Sequence, residues 1–176
     1  MKDLNHVVLV GPVSNVDIRM FSSYGFLSMR VLMSKVSVVL DPKQNEWAHE
    51  FQQARCVALW DGFFDSRADK KDPGKWWYEI GARASSVRAV STELTPVNRA
   101  EVVGKVQRIS NEWVTLSCSY FAPKKKTWLS RILHVRSQQT LPNSLYGKRI
   151  LAIGTVAPKL NGTPGLHLAA TQIHQL

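Results

Sequence analysis

Short runs of β-branched and aromatic residues, separated by Gly, Pro, Asn and Asp, recur along the whole chain. Such runs are typical of β-strands, whereas the 3.6-residue periodicity of amphipathic helices is scarce. Many short strands joined by turns favour an all-β sandwich or barrel. One short helical or irregular connection is predicted at residues 138–146, where Pro142 suits the first turn of a helix. The predicted strands are residues 6–13, 26–33, 54–60, 76–82, 100–109, 113–120, 128–135, 149–156 and 166–174.

The strand pattern contains an internal repeat. Residues 4–13 (LNHVVLVGPV) align with residues 97–106 (VNRAEVVGKV), with Asn and Gly at the same positions. Further along, residues 74–81 (GKWWYEIG) align with residues 147–154 (GKRILAIG). Two matches in the same order predict two copies of one β-domain.

We place the two copies at residues 1–96 and 97–176. On this alignment the first copy is longer by 20 residues, and we assign the excess to residues 34–53 and 65–74. A chain of 176 residues accommodates two such domains of about 80–90 residues each.

The positive charge of the chain is concentrated in the second copy. The whole sequence has 23 Lys and Arg against 13 Asp and Glu, a formal net charge of +10. Residues 1–96 carry 12 basic and 11 acidic side chains, whereas residues 97–176 carry 11 basic and 2 acidic ones. This imbalance indicates a polyanionic partner for the second copy. A solvated basic face without a ligand is the alternative.

Composition also excludes several classes of protein. Two cysteines, Cys56 and Cys118, are too few for a disulfide scaffold or a cysteine-built zinc site. No apolar run reaches the ~18–20 residues that span a bilayer, and the N-terminus lacks a signal-peptide core, so we expect a cytoplasmic protein without membrane contact. The five histidines are dispersed, and nucleophile and phosphate-loop motifs are absent from the sequence. We therefore expect no enzyme activity, no metal and no cofactor.

The second copy carries the pattern of a known family. Its first strand contains Val-Gly-Lys-Val (residues 103–106), its second ends in Ser-Cys-Ser-Tyr (117–120), and its third begins at Trp128. A Tyr-Gly-Lys step (146–148) then precedes Ile-Leu-Ala-Ile-Gly (150–154). This order resembles the bacterial-type single-stranded DNA-binding proteins and their primosomal relative PriB. The resemblance implies an OB-fold, which is a five-stranded Greek-key barrel.

The first copy matches the same family less well. Residues 5–11 look like the family's opening strand, and residues 55–60 are similar to its third strand. The fourth and fifth strands look shortened, since no long hairpin separates residues 81 and 87. We therefore predict an all-β chain of two tandem OB-fold barrels, the N-terminal one degenerate. The chain ends at residues 175–176 without the acidic tail by which many family members recruit repair enzymes, so such recruitment is not expected.

Binding a single strand without sequence preference requires cations for the phosphates and flat rings for the bases. The resemblance implies base stacking for Trp128 and for His134, although His134 could instead bond to a phosphate or a base. Alternation places these two residues on one face of their strand and Arg131 on the other. Of the adjacent Tyr120 and Phe121, only one can face inward. The candidate nucleic-acid-binding residues are Lys75, Trp76, Trp77, Tyr120, Phe121, Lys124, Lys125, Lys126, Trp128, Arg131, His134, Lys148 and Arg149.

The predicted function is non-catalytic binding of single-stranded DNA in replication, recombination or repair. By analogy with a family that works with four barrels, two copies per chain suggest a homodimer. RNA binding stays open, because stacking grooves do not by themselves distinguish the sugars. A third reading is a protein-interaction subunit of a replication, conjugation or RNA-processing complex. The consecutive Trp76 and Trp77 in the near-neutral first copy suit either base stacking or a protein partner.

Overall fold

The computed structural model describes residues 3–69, 71–72, 76–122, 126–158 and 165–176, with only the backbone at residues 121 and 122. These residues form a mostly β structure with one short α-helix. The elements are β1 (Leu4–Met20), β2 (Gly25–Val31), β3 (Ser34–Leu40), α1 (Asn45–His49), β4 (Cys56–Ala68), β5 (Trp76–Arg83), β6 (Val87–Val90), β7 (Val97–Ser110), β8 (Trp113–Ala122), β9 (Thr127–Arg136), β10 (Arg149–Ala157) and β11 (His167–Gln175).

All nine predicted strands are present, most of them with ends that extend beyond the predicted limits. The connection predicted before β10 contains a single 3₁₀ turn at Asn143–Leu145, with Pro142 immediately before it. The sequence reading missed β3 and β6. The pattern of β3 alternates strictly, with Ser34 and Leu40 at its buried ends, but the repeat alignment had assigned this stretch to an insertion.

The chain divides into two compact units. Unit 1 contains Met1–His6, Phe64–Tyr78 and Arg99–Leu176, and unit 2 contains Val7–Phe63 and Glu79–Asn98. Strands β1, β4, β5 and β7 therefore contribute residues to both units. The division of the chain at residue 96 stays a prediction.

The two sets of strands share one pairing order. In the first set β1 pairs with β2, β2 with β3, β3 with β5, β5 with β4, and β4 again with β1. In the second set the order is β7, β8, β9, β11 and β10, and β10 again pairs with β7. The pairing of β3 with β5 and that of β9 with β11 are both parallel. Each set thus has the order first, second, third, fifth, fourth, first.

This pairing corrects the second half of the repeat alignment. Gly11 pairs with Val57 of β4, and Gly104 pairs with Ile150 of β10, a separation of 46 residues in each case. The strand at residues 55–60 is therefore a fourth strand, and its assignment as a third strand is wrong. The match of Gly81 with Gly154 is also wrong, because Gly81 lies on a fifth strand. The apparent excess of 20 residues came from aligning a fifth strand with a fourth.

The expectation of shortened strands in the first copy is also wrong. Its fourth and fifth strands, β4 and β5, have 13 and 8 residues, against 9 and 9 for β10 and β11. In strand number and order the first set is complete, and β6 is an addition that pairs with β4.

Asn5, the first polar residue of the repeated motif, joins β1 to β4. Its side-chain amide donates to the carbonyl of Phe64 at 2.8 Å, and its carbonyl oxygen accepts from the Phe64 N–H at 2.8 Å. These two bonds satisfy the backbone of Phe64, which lies beyond Val7 and Gly62, the last pair in the register of β1 and β4. The repeated Asn therefore has a structural role in the first copy.

The turn between β2 and β3 is held in an unfavourable backbone conformation. Val31 pairs with Ser34, so Leu32 and Met33 form a two-residue turn, with φ angles of 48° and 68°. Such turns require two positive φ values and strongly favour Asn and Gly. A left-handed conformation costs a non-glycine residue about 1–2 kcal/mol.

We expect Met33→Gly to raise the free energy of unfolding by about 1 kcal/mol, because glycine adopts a positive φ without steric strain. The exposed side chain of Met33 makes this substitution possible without loss of the core. Urea denaturation of the wild type and the variant measures the change. Met33→Ala is the control, since it removes the side chain but keeps the Cβ, and an equal gain for Met33→Ala would contradict the explanation.

Candidate nucleic-acid interface

The net charge of the protein belongs to unit 1. The ranges of unit 1 contain 16 basic and 6 acidic residues, and those of unit 2 contain 7 of each. Unit 1 therefore carries a formal charge of +10 and unit 2 a charge of zero. The division at residue 96 placed the segment Phe64–Tyr78 in the first copy. In the structure this segment, with its lysines, belongs to unit 1, and the charges of the two parts change accordingly.

All thirteen predicted binding residues fall within the ranges of unit 1. This includes Trp76 and Trp77, which the sequence reading assigned to the other copy. Lys75, Lys124 and Lys125 lie outside the described residues, as does the side chain of Phe121.

Strands β8 and β9 supply one face of the candidate site. Leu133 and Val135 are buried, whereas Trp128 is 63% exposed and His134 is half-buried. The predicted alternation along β9 is therefore present. Trp128 is the second residue of β9 and pairs through its backbone with Phe121 of β8. Next along the same face, Ser119 of β8 pairs with Ser130 of β9.

A second group of contacts joins the segment Phe64–Tyr78 to β9. The Arg131 guanidinium bonds to the Asp65 carboxylate at 2.7 Å. The backbone N–H of Ile132 donates to the Ser66 hydroxyl at 2.9 Å. Two residues further along β9, the Tyr78 hydroxyl lies 2.9 Å from Nε2 of His134, with the two ring centroids 5.2 Å apart. The C-terminal end of β4 and the N-terminal end of β5 are thus hydrogen-bonded to the middle of β9.

Two exposed tryptophans lie next to this contact. Trp76 is 43% exposed and Trp77 is 45% exposed, although they are consecutive on β5. The indole N–H of Trp77 donates to the Asp69 carboxylate at 3.1 Å. The sequence required only one of these rings to face away from the core, and the structure exposes both.

The arginines and lysines of unit 1 have different surroundings. Arg131 is paired with Asp65, and its guanidinium lies 3.6 Å from the ring centroid of Tyr120. Arg149 lies 2.5 Å from the Asp3 carboxylate, so its charge is matched as well. Lys126 and Lys148 are exposed and form no ion pair with any residue that the structure describes. The charges of Lys126 and Lys148 are therefore exposed, whereas those of Arg131 and Arg149 are paired with carboxylates.

Sequence reasoning missed two exposed residues of unit 1. Tyr146 is 67% exposed and lies two residues before Lys148. Lys105 is exposed on β7 and pairs through its backbone with Arg149. The Tyr-Gly-Lys step was recognised as a family feature, but nothing in its sequence showed that the tyrosine ring would be exposed.

The imidazole of His134 is enclosed by polar and aromatic neighbours. Its Nε2 meets the Tyr78 hydroxyl, and its Nδ1 lies 3.3 Å from the Thr115 hydroxyl. Burial lowers the pKa of His134, and the nearby His167 lowers it further. Burial also raises the pKa of Tyr78, so the phenol stays protonated. At neutral pH this contact therefore joins a neutral imidazole to a neutral phenol.

His167 is a second buried imidazole in unit 1. Nδ1 of its ring lies 3.0 Å from the Gly165 carbonyl, and its ring packs edge-on against Trp113 at 4.9 Å. Burial lowers the pKa of His167, and the positive charge of Arg136 lowers it further. The hydrogen bond to the Gly165 carbonyl acts in the opposite direction and raises the pKa. Trp113 is therefore half-buried and packed against His167.

The described residues offer little for catalysis. Among them, no group of three or more His, Cys, Asp or Glu side chains is arranged to hold a metal ion. Both cysteines are buried, and burial raises the pKa of Cys118 to about 12. A thiol of that pKa is not a nucleophile at neutral pH. In the part of the chain that the structure describes, no helix has the length and apolar character needed to cross a membrane.

Comparison with known proteins supports the fold. No protein-family model matches the sequence, and neither does any curated protein. Among solved structures, the chain matches a deletion variant of the single-stranded DNA-binding protein from Thermus aquaticus with a TM-score of 0.72. The match covers 99% of this chain and 95% of that chain, at 15% sequence identity. A structure of the tetrameric p202 HIN2 also matches, but its TM-score of 0.27 is too low to carry any argument.

The chain therefore has the fold of a single-stranded DNA-binding protein over its whole length. The resemblance predicted from the sequence is confirmed as a likeness of structure to the protein from Thermus aquaticus.

The lowered pKa values of His134 and His167 predict a loss of stability in mild acid. Their pKa values are lower in the folded chain than the value of about 6.5 in the unfolded chain. Below about pH 6.5 the unfolded chain therefore binds more protons, and the free energy of unfolding falls as the pH drops further. Urea denaturation at about pH 7.5 and about pH 5.5 measures this change.

His134→Gln should reduce the pH dependence, because one of the two titrating groups is removed. His174→Gln is the matched control, since His174 is exposed and its loss should leave the dependence unchanged. Equal pH dependence in the wild type and in His134→Gln would contradict the prediction.

Proposed function

We propose that this protein binds single-stranded DNA without catalysis, through the surface of unit 1 that carries Trp128, Trp76 and Trp77. The observation that carries the proposal is the joint occurrence of exposed rings and of the entire net charge in one unit. Exposed rings can replace base-on-base stacking, and the lysines can neutralise phosphates. The likeness to a single-stranded DNA-binding protein supports the same function.

The strand order supports an OB-fold for each set of strands, at residues 1–96 and 97–176. In an OB-fold the face of the second and third strands and the adjoining loops bind oligonucleotides. In the second set those strands are β8 and β9, and Trp128 lies at their outer end. We propose that this face of the second copy carries most of the contacts, in a homodimer with four such domains.

The roles of the predicted residues differ within this proposal. Trp128, Trp76, Trp77 and Tyr146 would stack on bases. Lys126 and Lys148 would meet phosphates, together with Lys75, Lys124 and Lys125, whose positions lie outside the described residues. The ion-paired Arg131 and Arg149 would support the surface, and an incoming phosphate would have to compete with Asp65 or Asp3 for them.

We expect Trp128→Ala to weaken the binding of a fluorescent oligo-dT by about five- to 150-fold, because a stacked ring contributes about 1–3 kcal/mol per base. Fluorescence anisotropy at constant salt measures the dissociation constant. Trp60→Ala, which removes an exposed ring of unit 2, is the control and should change it little. Equal losses in the two variants would refute the site. Competition with a matched RNA oligomer tests the preference for DNA.

We expect Lys126→Gln and Lys148→Gln to flatten the salt dependence of the same binding. For single strands, each neutralised phosphate contributes about 0.7 to the slope of log affinity against log salt. Each lysine that meets a phosphate should therefore lower the slope by about that amount. Lys43→Gln, a change of the same kind in unit 2, should leave the slope unaltered. A wild-type slope near zero would rule out phosphate contacts altogether.

A further inference from the structure

The C-terminal end of β4 and the N-terminal end of β5 extend beyond the residues at which these strands pair with β1 and β3. The pairing of β4 with β1 ends at Val7 and Gly62, and the pairing of β5 with β3 begins at Val36 and Ile80. Residues 64–69 and 76–78, which we call the arm, continue outward with β4 and β5 as neighbours of each other. A two-stranded ribbon by itself is marginally stable in water. The position of the arm must therefore depend on what it packs against.

Strand β9 provides three polar contacts for the arm within four residues. Arg131 pairs with Asp65 at 2.7 Å, the Ile132 N–H bonds to Ser66 at 2.9 Å, and His134 meets Tyr78 at 2.9 Å. The first two contacts fix the β4 side of the arm, and the third fixes its β5 side. Together they hold both strands of the ribbon on one segment of β9.

The contact of Tyr78 determines which tryptophan faces β9. Residues two apart on a strand share a face, so Trp76 lies on the face of Tyr78, and Trp77 lies on the opposite face with its bond to Asp69. On β9, Trp128 shares the face of His134, six residues away, or about 20 Å along the strand. The Tyr78–His134 contact therefore joins two faces that each carry an exposed tryptophan.

We propose that Asp65, Ser66 and Tyr78 are positioning residues that hold the arm on β9, so that Trp76 and Trp128 act on the same single strand. This inference rests on the proposed function and adds a role for residues that do not themselves touch the nucleic acid. His134 acts in it as the anchor of Tyr78. Trp76 contributes to binding only while the arm is held, whereas Trp128 is carried by β9 itself and contributes in either case.

The test is a double-mutant cycle with a released variant, Asp65→Ala/Ser66→Ala/Tyr78→Phe, which removes the three contacts. Oligo-dT affinity is measured for the wild type and the released variant, each with and without Trp76→Ala. The cycle is repeated with Trp128→Ala in place of Trp76→Ala. A matched triple variant, Asp17→Ala/Ser28→Ala/Tyr24→Phe, makes the same chemical changes within unit 2.

We expect Trp76→Ala to weaken binding by about five- to 150-fold in the wild type and in the unit 2 control, but by less than about twofold in the released variant. Trp128→Ala should weaken binding by the same factor in all three. A merely structural role would reduce both effects together, so the contrast between the two tryptophans identifies positioning.

An effect of Trp76→Ala that is as large in the released variant as in the wild type would overturn the positioning role and leave the proposed function intact. A parallel reduction of the Trp128→Ala effect would overturn it too. A wild type that binds no oligo-dT would overturn the proposed function and this inference with it. Circular dichroism establishes that the released variant is folded. If it is not, Ser66→Ala/Tyr78→Phe gives the same comparison with the Asp65 ion pair retained.

Discussion

In each set of five strands, the fourth strand pairs with the first. The second, third and fifth strands lie in the pairing order between these two. Gly11 and Gly104 lie where the fourth strand pairs with the first. A Cβ at Gly104 would lie 2.8 Å from the sulfur of Cys118 and 2.9 Å from a backbone oxygen of β8. At Gly104, β8 therefore lies closer than a side chain would permit, although β7 also pairs on both sides at Lys105. The parallel fifth strand then completes the order beside the third.

Charge in this protein follows the fold more closely than it follows the sequence. By sequence, the second half carries most of the positive charge, and the fold moves the whole of it into unit 1. The same fold also supplies two acids to that unit, Asp3 to Arg149 and Asp65 to Arg131. Ion pairs of this kind orient arginines but reduce the charge they offer to a phosphate. The lysines, with longer flexible stems and exposed ends, keep theirs.

Two aromatic side chains of β9 differ in what they offer although they share a face. Trp128 is at the outer end and exposed, whereas His134 is enclosed by Tyr78 and Thr115 with hydrogen-bond partners at both nitrogens. A ring that holds neighbouring strands together and an exposed ring thus arise from the same alternation. Position along the strand decides between them, because the ends of β4 and β5 contact β9 from Arg131 to His134.

The sequence by itself determined where nine strands lie and that Trp128 is on the outer face of its strand, because alternation is a local property that neighbouring residues encode. It also determined the repeated first strand, since Asn5 and Gly11 recur at fixed spacing. The alignment drawn from the sequence was wrong for the second half of the repeat. There the shared Gly-Lys and Ile-Gly pairs matched β5, the fifth strand of the first set, with β10, the fourth strand of the second set. The tertiary structure alone decided which acid meets which arginine, and that Trp76 and Trp128 belong to one unit. Those contacts join residues more than 50 positions apart, and no local pattern records which distant strand a side chain will meet.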